Sequence, residues 1–268
     1  MTTFGLVHGA WHGAWCWAAL ERELAARGHR AIAVDLPCDD PSATFDDYAG
    51  VVVAGLVGED DDVVLVGHSL GGHTIPLVAA QRPVRRLVYL CAVLAQPGAS
   101  FIDQLRAEPD MFVAGYEAGI GPPDDERRRR WVDYGIALET MYPDCTDAEA
   151  VAAFERLRPQ ATAPYGVPCS LAALPDVPVT SVVAAEDRIV SPDWSRRAAA
   201  ERLGVQPVEL PGGHSPYLAR PAALAGWHIH LEHLADALDG RPVDWPAWSD
   251  EHRPRWDEIH ARYAALEA

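Results

Sequence analysis

The 268-residue chain is predicted to fold as an α/β protein, built on a mainly parallel β-sheet with helices on both faces. Three observations predict it. Short, continuous apolar runs such as Phe4-Gly5-Leu6-Val7 and Val63-Val64-Leu65-Val66 read as strands buried on both faces. Helical patterns alternate with these runs along most of the chain, as a parallel sheet with crossover helices requires. Finally, His8, Ser69, Asp187 and His214 each fall just past the end of a predicted strand, the edge at which open α/β sheets bind their ligands.

The elements follow in order. The first strand ends at Val7 and feeds the loop His8-Gly9-Ala10-Trp11. Residues 13–27 carry Trp15, Trp17, Leu20 and Leu24 at helical spacing, with Gly28 as the stop. Ala31-Ile32-Ala33-Val34 is the second strand, and 44–57 the second helix. The third strand ends at Val66; a helix over 70–81 follows, then the fourth strand, Leu87-Val88-Tyr89-Leu90-Cys91. Over 97–175 the rhythm breaks. This stretch has many prolines and no strand-like run, and polar patterns such as Asp124-Asp125-Glu126-Arg127-Arg128-Arg129-Arg130 read as helical. It is expected to be a helical cap inserted into a core of 1–96 and 176–240. A fifth strand over 177–184, a helix over 192–203, a sixth strand over 206–210 and a last helix over 219–238 complete the core. The tail, 241–268, holds Trp245, Trp248, Trp256 and Tyr263 among charges. It is expected to pack across the back of the domain or to form a homodimer contact.

Composition removes several function classes. The formal net charge of -17, with 22 Arg and no Lys, argues against nucleic acid and anionic membrane surfaces as partners. The five cysteines, Cys16, Cys38, Cys91, Cys145 and Cys169, are scattered without a C-x-x-C pair, so no zinc or redox motif is indicated and reduced thiols are expected. No apolar stretch reaches the ~18 residues of a membrane span. The opening Met1-Thr2-Thr3-Phe4 lacks the basic and apolar regions of a secretion signal. A cytoplasmic protein without metal or cofactor is expected.

Chemistry concentrates in Val66-Gly67-His68-Ser69-Leu70-Gly71-Gly72-His73. This is G-x-S-x-G between a strand and a helix, the setting of a nucleophile elbow; the other role open to Ser69 is that of a helix cap. A serine hydroxyl is a poor nucleophile and needs a base within reach. That base needs a carboxylate to orient it and stabilise its cation. On this scaffold the acid and then the histidine follow the serine in the chain. His214, in Pro211-Gly212-Gly213-His214-Ser215-Pro216, is the candidate base. His228, His230, His233, His252 and His260 read as ordinary helix or tail residues and make no metal site. Asp187 is the candidate acid, ahead of its neighbour Glu186, while Asp35 precedes Ser69 and reads as a cap or turn residue. An oxyanion hole needs two convergent N–H donors. Leu70 supplies one at the start of a helix, and Ala10, in the loop after the first strand, supplies the other. His8 braces that loop or bonds substrate.

The stretch Val7-His8-Gly9-Ala10-Trp11-His12-Gly13-Ala14-Trp15-Cys16-Trp17, the glycines around Ser69, Glu186-Asp187-Arg188 and His214-Ser215-Pro216 resemble the small α/β-hydrolases of the methylesterase and hydroxynitrile lyase group. That group includes bacterial carboxylesterases. Met141-Tyr142-Pro143-Asp144-Cys145 and Leu157-Arg158-Pro159-Gln160 resemble the cap of its bacterial members. The resemblance runs over 4–235 and leaves the tail unmatched. It implies the α/β-hydrolase fold, with a six-stranded parallel core under a helical cap. It also implies Ser69, Asp187 and His214 as triad and the amides of Ala10 and Leu70 as oxyanion hole. One departure is informative. Lyase members of the group carry a lysine directly after the triad histidine and a threonine in place of Gly9; here Ser215 follows His214 and the chain has no lysine.

The expected activity is hydrolysis of a small carboxylic ester through an acyl-enzyme on Ser69. The pocket is expected to draw on His8, Gly9 and Trp11 of the first loop, on Met111, Phe112, Trp131 and Tyr142 of the insertion, and on Tyr217. The alternative is a non-hydrolytic lyase or cyclase that uses His214 as general base. A receptor that binds without turnover fits an intact Ser-Asp-His set poorly. Haloalkane dehalogenase and epoxide hydrolase chemistry need a carboxylate where Ser69 stands.

Overall fold

The computed structural model describes residues 1–26, 28–59 and 62–218. The last helix expected over 219–238, the tail over 241–268 and the five histidines beyond His214 lie outside the described residues. Strands β1 (Thr3–Val7), β2 (Arg30–Val34), β3 (Val63–His68), β4 (Arg86–Leu90), β7 (Val179–Ala184) and β8 (Val208–Leu210) form one sheet, and β5 (Arg128–Arg129) and β6 (Gln160–Ala161) a separate ribbon. The helices are α1 (Ala18–Ala26), α2 (Phe45–Gly55), α3 (Ile75–Ala79), α4 (Phe101–Ala107), α5 (Tyr134–Met141), α6 (Asp147–Glu155) and α7 (Pro192–Ala198). The chain is therefore the α/β-hydrolase fold that the sequence implied.

The main sheet has six strands in the order β2-β1-β3-β4-β7-β8, every neighbouring pair parallel. Its apolar runs face both ways. Val7, Leu65 and Tyr89 join Tyr48 and Val52 of α2 and Ile75 of α3 on one face. Leu6, Val64, Val66, Val88 and Leu90 join Trp17, Leu20 and Leu24 on the other. Burial on both sides is what makes these strands read as continuous apolar runs. From β1 the chain goes to one side for β2, then crosses to the other for β3. The sheet's topological switch point therefore lies between the carboxyl ends of β1 and β3, where a crevice opens. The register aligns these ends: Val7 lies opposite Val34 and Gly67, His68 opposite Leu90, and Ala184 opposite Leu210.

Local chemistry sets several boundaries. Thr44 and Asp47 close a capping box on α2, as Thr146 and Glu149 do on α6. Ser100, Asp133 and Ser191 cap α4, α5 and α7. The helix expected over 70–81 starts as a tight 3-10 turn, Ser69–His73, before α3. The helix expected over 192–203 ends as a π-turn, Ala199–Leu203.

The acidic-basic run 124–130 is a correction. It forms a turn leading into β5, not a helix. Asp124 Oδ1 accepts from the backbone N–H groups of Glu126 and Arg128, and Arg127 sits at φ 59°, so the chain reverses. The two-residue strands β5 and β6, unforeseen in 97–175, pair Arg128 with Ala161 and Arg129 with Gln160. Among the described residues no helix is long and apolar enough to cross a membrane, and all five cysteines are free thiols.

Candidate active site

Ser69 sits at φ 51°, the left-handed region that costs a non-glycine residue roughly 1–2 kcal/mol. The surroundings hold it there. The Ser69 carbonyl accepts the N–H of Val93 at 3.0 Å. A Cβ on Gly71 would lie 2.7 Å from the Val7 carbonyl oxygen and 2.9 Å from that of His8. Only glycine lets the turn press so closely on the end of β1. A Cβ on Gly9 would meet the Ser69 Cβ at 2.8 Å, so the β1 loop lies directly against the serine. A bulkier residue at Gly9 would have to displace one or the other.

The other two candidates meet across the loops after β7 and β8. His214 Nδ1 and Asp187 Oδ2 are 2.8 Å apart. Asp187 Oδ1 accepts from the N–H groups of Ile189 at 2.8 Å and Val190 at 3.0 Å, so both carboxylate oxygens are engaged. Asp187 and His214 are buried, whereas Glu186 is exposed. Adjacent residues leaving a strand point in opposite directions, which separates these two acids. Asp35 accepts the N–H of Ala14 at 2.8 Å, the turn role read from its position.

Ser69, Leu70, Ala10 and His214 line one cavity of about 190 Å³. Its walls are mainly apolar: Trp11, Val93, Leu105, Ile120, Met141 and Ile189. An aromatic group, Phe101, Phe112, Tyr116 and Tyr165, forms one side; Phe112 stacks on Tyr116 at 4.8 Å and Phe101 meets Tyr165 edge-on at 5.1 Å. The polar lining includes Arg129, Gln160 and Thr162. Arg129 is spent in part on the carbonyls of Gly121 and Ile120. The amide of Gln160 is oriented by Nε2 donating to the Ala161 carbonyl, and its Oε1 has no partner among the described residues.

Of the expected pocket residues, Trp11 and Phe112 line the cavity. His8, Gly9, Met111, Trp131, Tyr142 and Tyr217 do not, and each has a physical reason: Gly9 has no side chain and packs directly on Ser69. Met111 is fully buried core. Trp131 lies behind Trp11, edge-on at 5.8 Å. Tyr142 and Tyr217 direct their hydroxyls to His12 Nε2 at 3.0 Å and His68 Nδ1 at 3.1 Å. His8 braces the loop: its Nε2 accepts the Leu36 N–H at 3.0 Å, which leaves Nδ1–H to donate to the Gly9 carbonyl at 2.8 Å.

His12 and His68 are the residues that sequence reasoning missed. Both line the cavity. His12 Nδ1–H donates to the Ala10 carbonyl at 2.9 Å, and His68 Nε2–H donates to the His214 carbonyl at 2.9 Å. A carbonyl only accepts, so each contact fixes a tautomer. Burial holds these rings neutral: it takes His8 down to about 4, His12 to about 3 and His68 well below the ordinary histidine value. Their signal was the H-x-x-x-H spacing of His8 and His12 and the His-Ser pair at the elbow, which the glycines and serine overshadowed.

The insertion grips the same loops. Arg158 donates from its backbone to the Trp11 carbonyl at 2.7 Å, and its guanidinium donates to the carbonyls of His12 at 3.1 Å and Leu36 at 2.8 Å. Asp144 Oδ2 accepts the N–H of Gly213 at 2.6 Å, one residue before His214.

Comparison with known proteins gives the family and the fold of the chain. The profile described as "Alpha/beta hydrolase family" matches residues 6–227. A pyrethroid hydrolase of Sphingobium wenxiniae is 29% identical over 261 residues, 89% of this chain and 88% of that protein. A norfluorocurarine synthase 2 of a Strychnos species is 32% identical over 175 residues, 58% of this chain and 65% of its own length. The crystal structure of a pyrethroid hydrolase from Sphingobium faniae JZ-2 superposes with a TM-score of 0.69 at 26% identity, covering 89% of this chain and 97% of that one.

Proposed function

The chain belongs to the alpha/beta hydrolase family, and from that premise we propose that it is a carboxylesterase-type serine hydrolase acting on small esters through Ser69, His214 and Asp187. One observation carries the reading: a serine held at φ 51° shares an apolar cavity with a histidine whose Nδ1 is bound to a buried carboxylate. Strain that is over-determined by the neighbours, at a residue that also lines the cavity, supports a functional position.

In this reading Ser69 Oγ attacks the ester carbonyl carbon while His214 Nε2 takes its proton. Asp187 keeps the proton on Nδ1 and stabilises the imidazolium. The amides of Ala10 and Leu70 bind the oxyanion, each typically worth ~3 kcal/mol in the transition state. Collapse of the tetrahedral intermediate breaks the C–O bond, and His214 returns the proton to the departing alcohol. Water, deprotonated by His214, then attacks the acyl-enzyme; the acid leaves and Ser69 is restored. No metal or cofactor is needed for any of these steps.

The substrate class follows from the cavity. A dry apolar cavity of roughly 150 Å³ takes a benzene ring, so about 190 Å³ suits an acyl or alcohol part of one-ring size. We place 97–175 over the site as its cap, because Met141, Phe112, Tyr116 and Tyr165 from this stretch form much of the wall. Free thiols fit a cytoplasmic enzyme. A panel of short aryl and methyl esters tests the reading. The wild type should turn over several, and Ser69→Ala should lose at least ~1000-fold in kcat/KM. A folded wild type inactive on all of them would contradict it. The relative named as a synthase supports a second reading, a non-hydrolytic reaction with His214 as base; it predicts no covalent adduct on Ser69.

A further inference from the structure

One short strip of the insertion, Tyr142 to Asp144, touches both halves of the proposed machinery. Tyr142 is buried, and its hydroxyl lies 3.0 Å from His12 Nε2. His12 Nδ1–H donates to the Ala10 carbonyl at 2.9 Å. Asp144 Oδ2 accepts the Gly213 N–H at 2.6 Å. The consequence follows from the planarity of the peptide unit. The N–H of Ala10 shares a peptide with the Gly9 carbonyl, which His8 holds; in a trans peptide the two point in opposite directions. The next peptide is held by His12 through the Ala10 carbonyl. With both planes around Ala10 pinned, the direction of its N–H is fixed. His12 holds its plane only while Nδ1 carries the proton, as the Ala10 carbonyl requires; the Tyr142 hydroxyl then donates to the bare Nε2 and fixes the orientation of the ring.

We infer that Tyr142 and Asp144 are positioning residues through which the insertion sets the catalytic geometry: Tyr142 aims the Ala10 amide by way of His12, and Asp144 seats the loop that presents His214. The inference rests on the serine-esterase reading above. Neither residue touches substrate, so their effect falls on the transition state and leaves ground-state binding alone. The same strip also contributes to the site through its neighbour Met141, which lines the cavity.

The test uses p-nitrophenyl butyrate hydrolysis by the full chain, with Ser69→Ala, Tyr142→Phe, Asp144→Ala and Asp144→Asn beside the wild type, each checked for folding by circular dichroism. Tyr142→Phe and Asp144→Ala are expected to lower kcat about 10-fold or more with KM within about 2-fold, the pattern of an interaction expressed in the transition state. Asp144→Asn, whose amide oxygen still accepts the Gly213 N–H, should recover most of the rate. If Ser69→Ala is inactive while Tyr142→Phe and Asp144→Ala keep kcat within about 2-fold, or raise KM alone, the inference is overturned and the esterase reading stands. If Ser69→Ala is as active as the wild type, the esterase reading itself falls. Should a variant fail to fold, nitrogen NMR of the wild-type imidazoles decides: His12 must carry its proton on Nδ1, and a proton on Nε2 overturns the inference.

Discussion

At the scale of single residues, Ser69 shows how a site opposes stability. Its backbone stays left-handed at φ 51° because the elbow leaves no other path between β3 and the next turn. Replacing Ser69 by glycine removes the steric penalty, whereas alanine keeps it. Both variants should be inactive, yet Ser69→Gly should be more stable than Ser69→Ala by ~1 kcal/mol, a difference readable from urea unfolding midpoints. Equal midpoints would mean that the turn relaxes once the hydroxyl is gone. Ser69, Asp187 and His214 were legible in the sequence as candidates, because their chain order and glycine flanks match what serine hydrolysis would require. His12 and His68 were not. The H-x-x-x-H spacing and the His-Ser pair are weak signals beside the glycines and the serine, and the partners that define these rings, Tyr142 and Tyr217, lie far away in the chain. The same distance explains why those tyrosines read as pocket wall: the sequence shows an aromatic ring but not the direction of its hydroxyl.

At the scale of elements, the stretch 97–175 is tied to the sheet and its loops by many bonds, and those of Arg158 reach the loops of the site itself. Arg158 alone serves the carbonyls of Trp11, His12 and Leu36. Its charged partners, Asp35 at 3.9 Å and Asp39 at 3.6 Å, are more exposed and contribute less. Arg158→Met keeps much of the side-chain bulk but removes two charge-assisted bonds, each typically worth ~1.5–3 kcal/mol, and leaves the Leu36 carbonyl with the Cys38 N–H and the His12 carbonyl with the Cys38 thiol. The variant should lower the melting temperature and speed proteolytic cleavage between β4 and β7; an unchanged cleavage rate would show that the clamp is dispensable. Six strands and most helices of the core were readable because each is specified by its own run of residues. The β5–β6 ribbon was not, since Arg128 and Arg129 pair with Ala161 and Gln160, and no local pattern announces a two-residue strand. The run 124–130 misled for the same reason. Its charges suit a helix surface, but the turn made by Asp124 and the positive φ of Arg127 decide its course.

At the scale of the whole molecule, the buried histidines set the response to acid. His8 is taken down to about 4, His12 and His73 to about 3, and His68 well below the usual value, in each case chiefly by burial. Unfolded, these rings take up protons near 6.5. Below that pH the unfolded chain binds protons that the folded chain refuses, so stability is lost as pH falls. Each ring costs ~1.4 kcal/mol per pH unit once well below 6.5, down to its own folded value. Against a total stability of ~5–15 kcal/mol, four such groups suffice for cooperative acid unfolding. Urea midpoints should be flat from about pH 8 to 7 and fall steeply below about 6.5. A midpoint unchanged down to pH 5 would show that these rings are charged or solvated in the folded protein.

The most direct measurement of the central claim is intact-protein mass spectrometry after treatment with an aryl phosphonate, followed by peptide mapping. A single phosphonyl adduct on Ser69, absent from Ser69→Ala and much slower to form in His214→Ala, is the predicted result. An active, folded protein that forms no adduct, or one that is labelled equally after Ser69→Ala, would contradict nucleophilic catalysis by this serine.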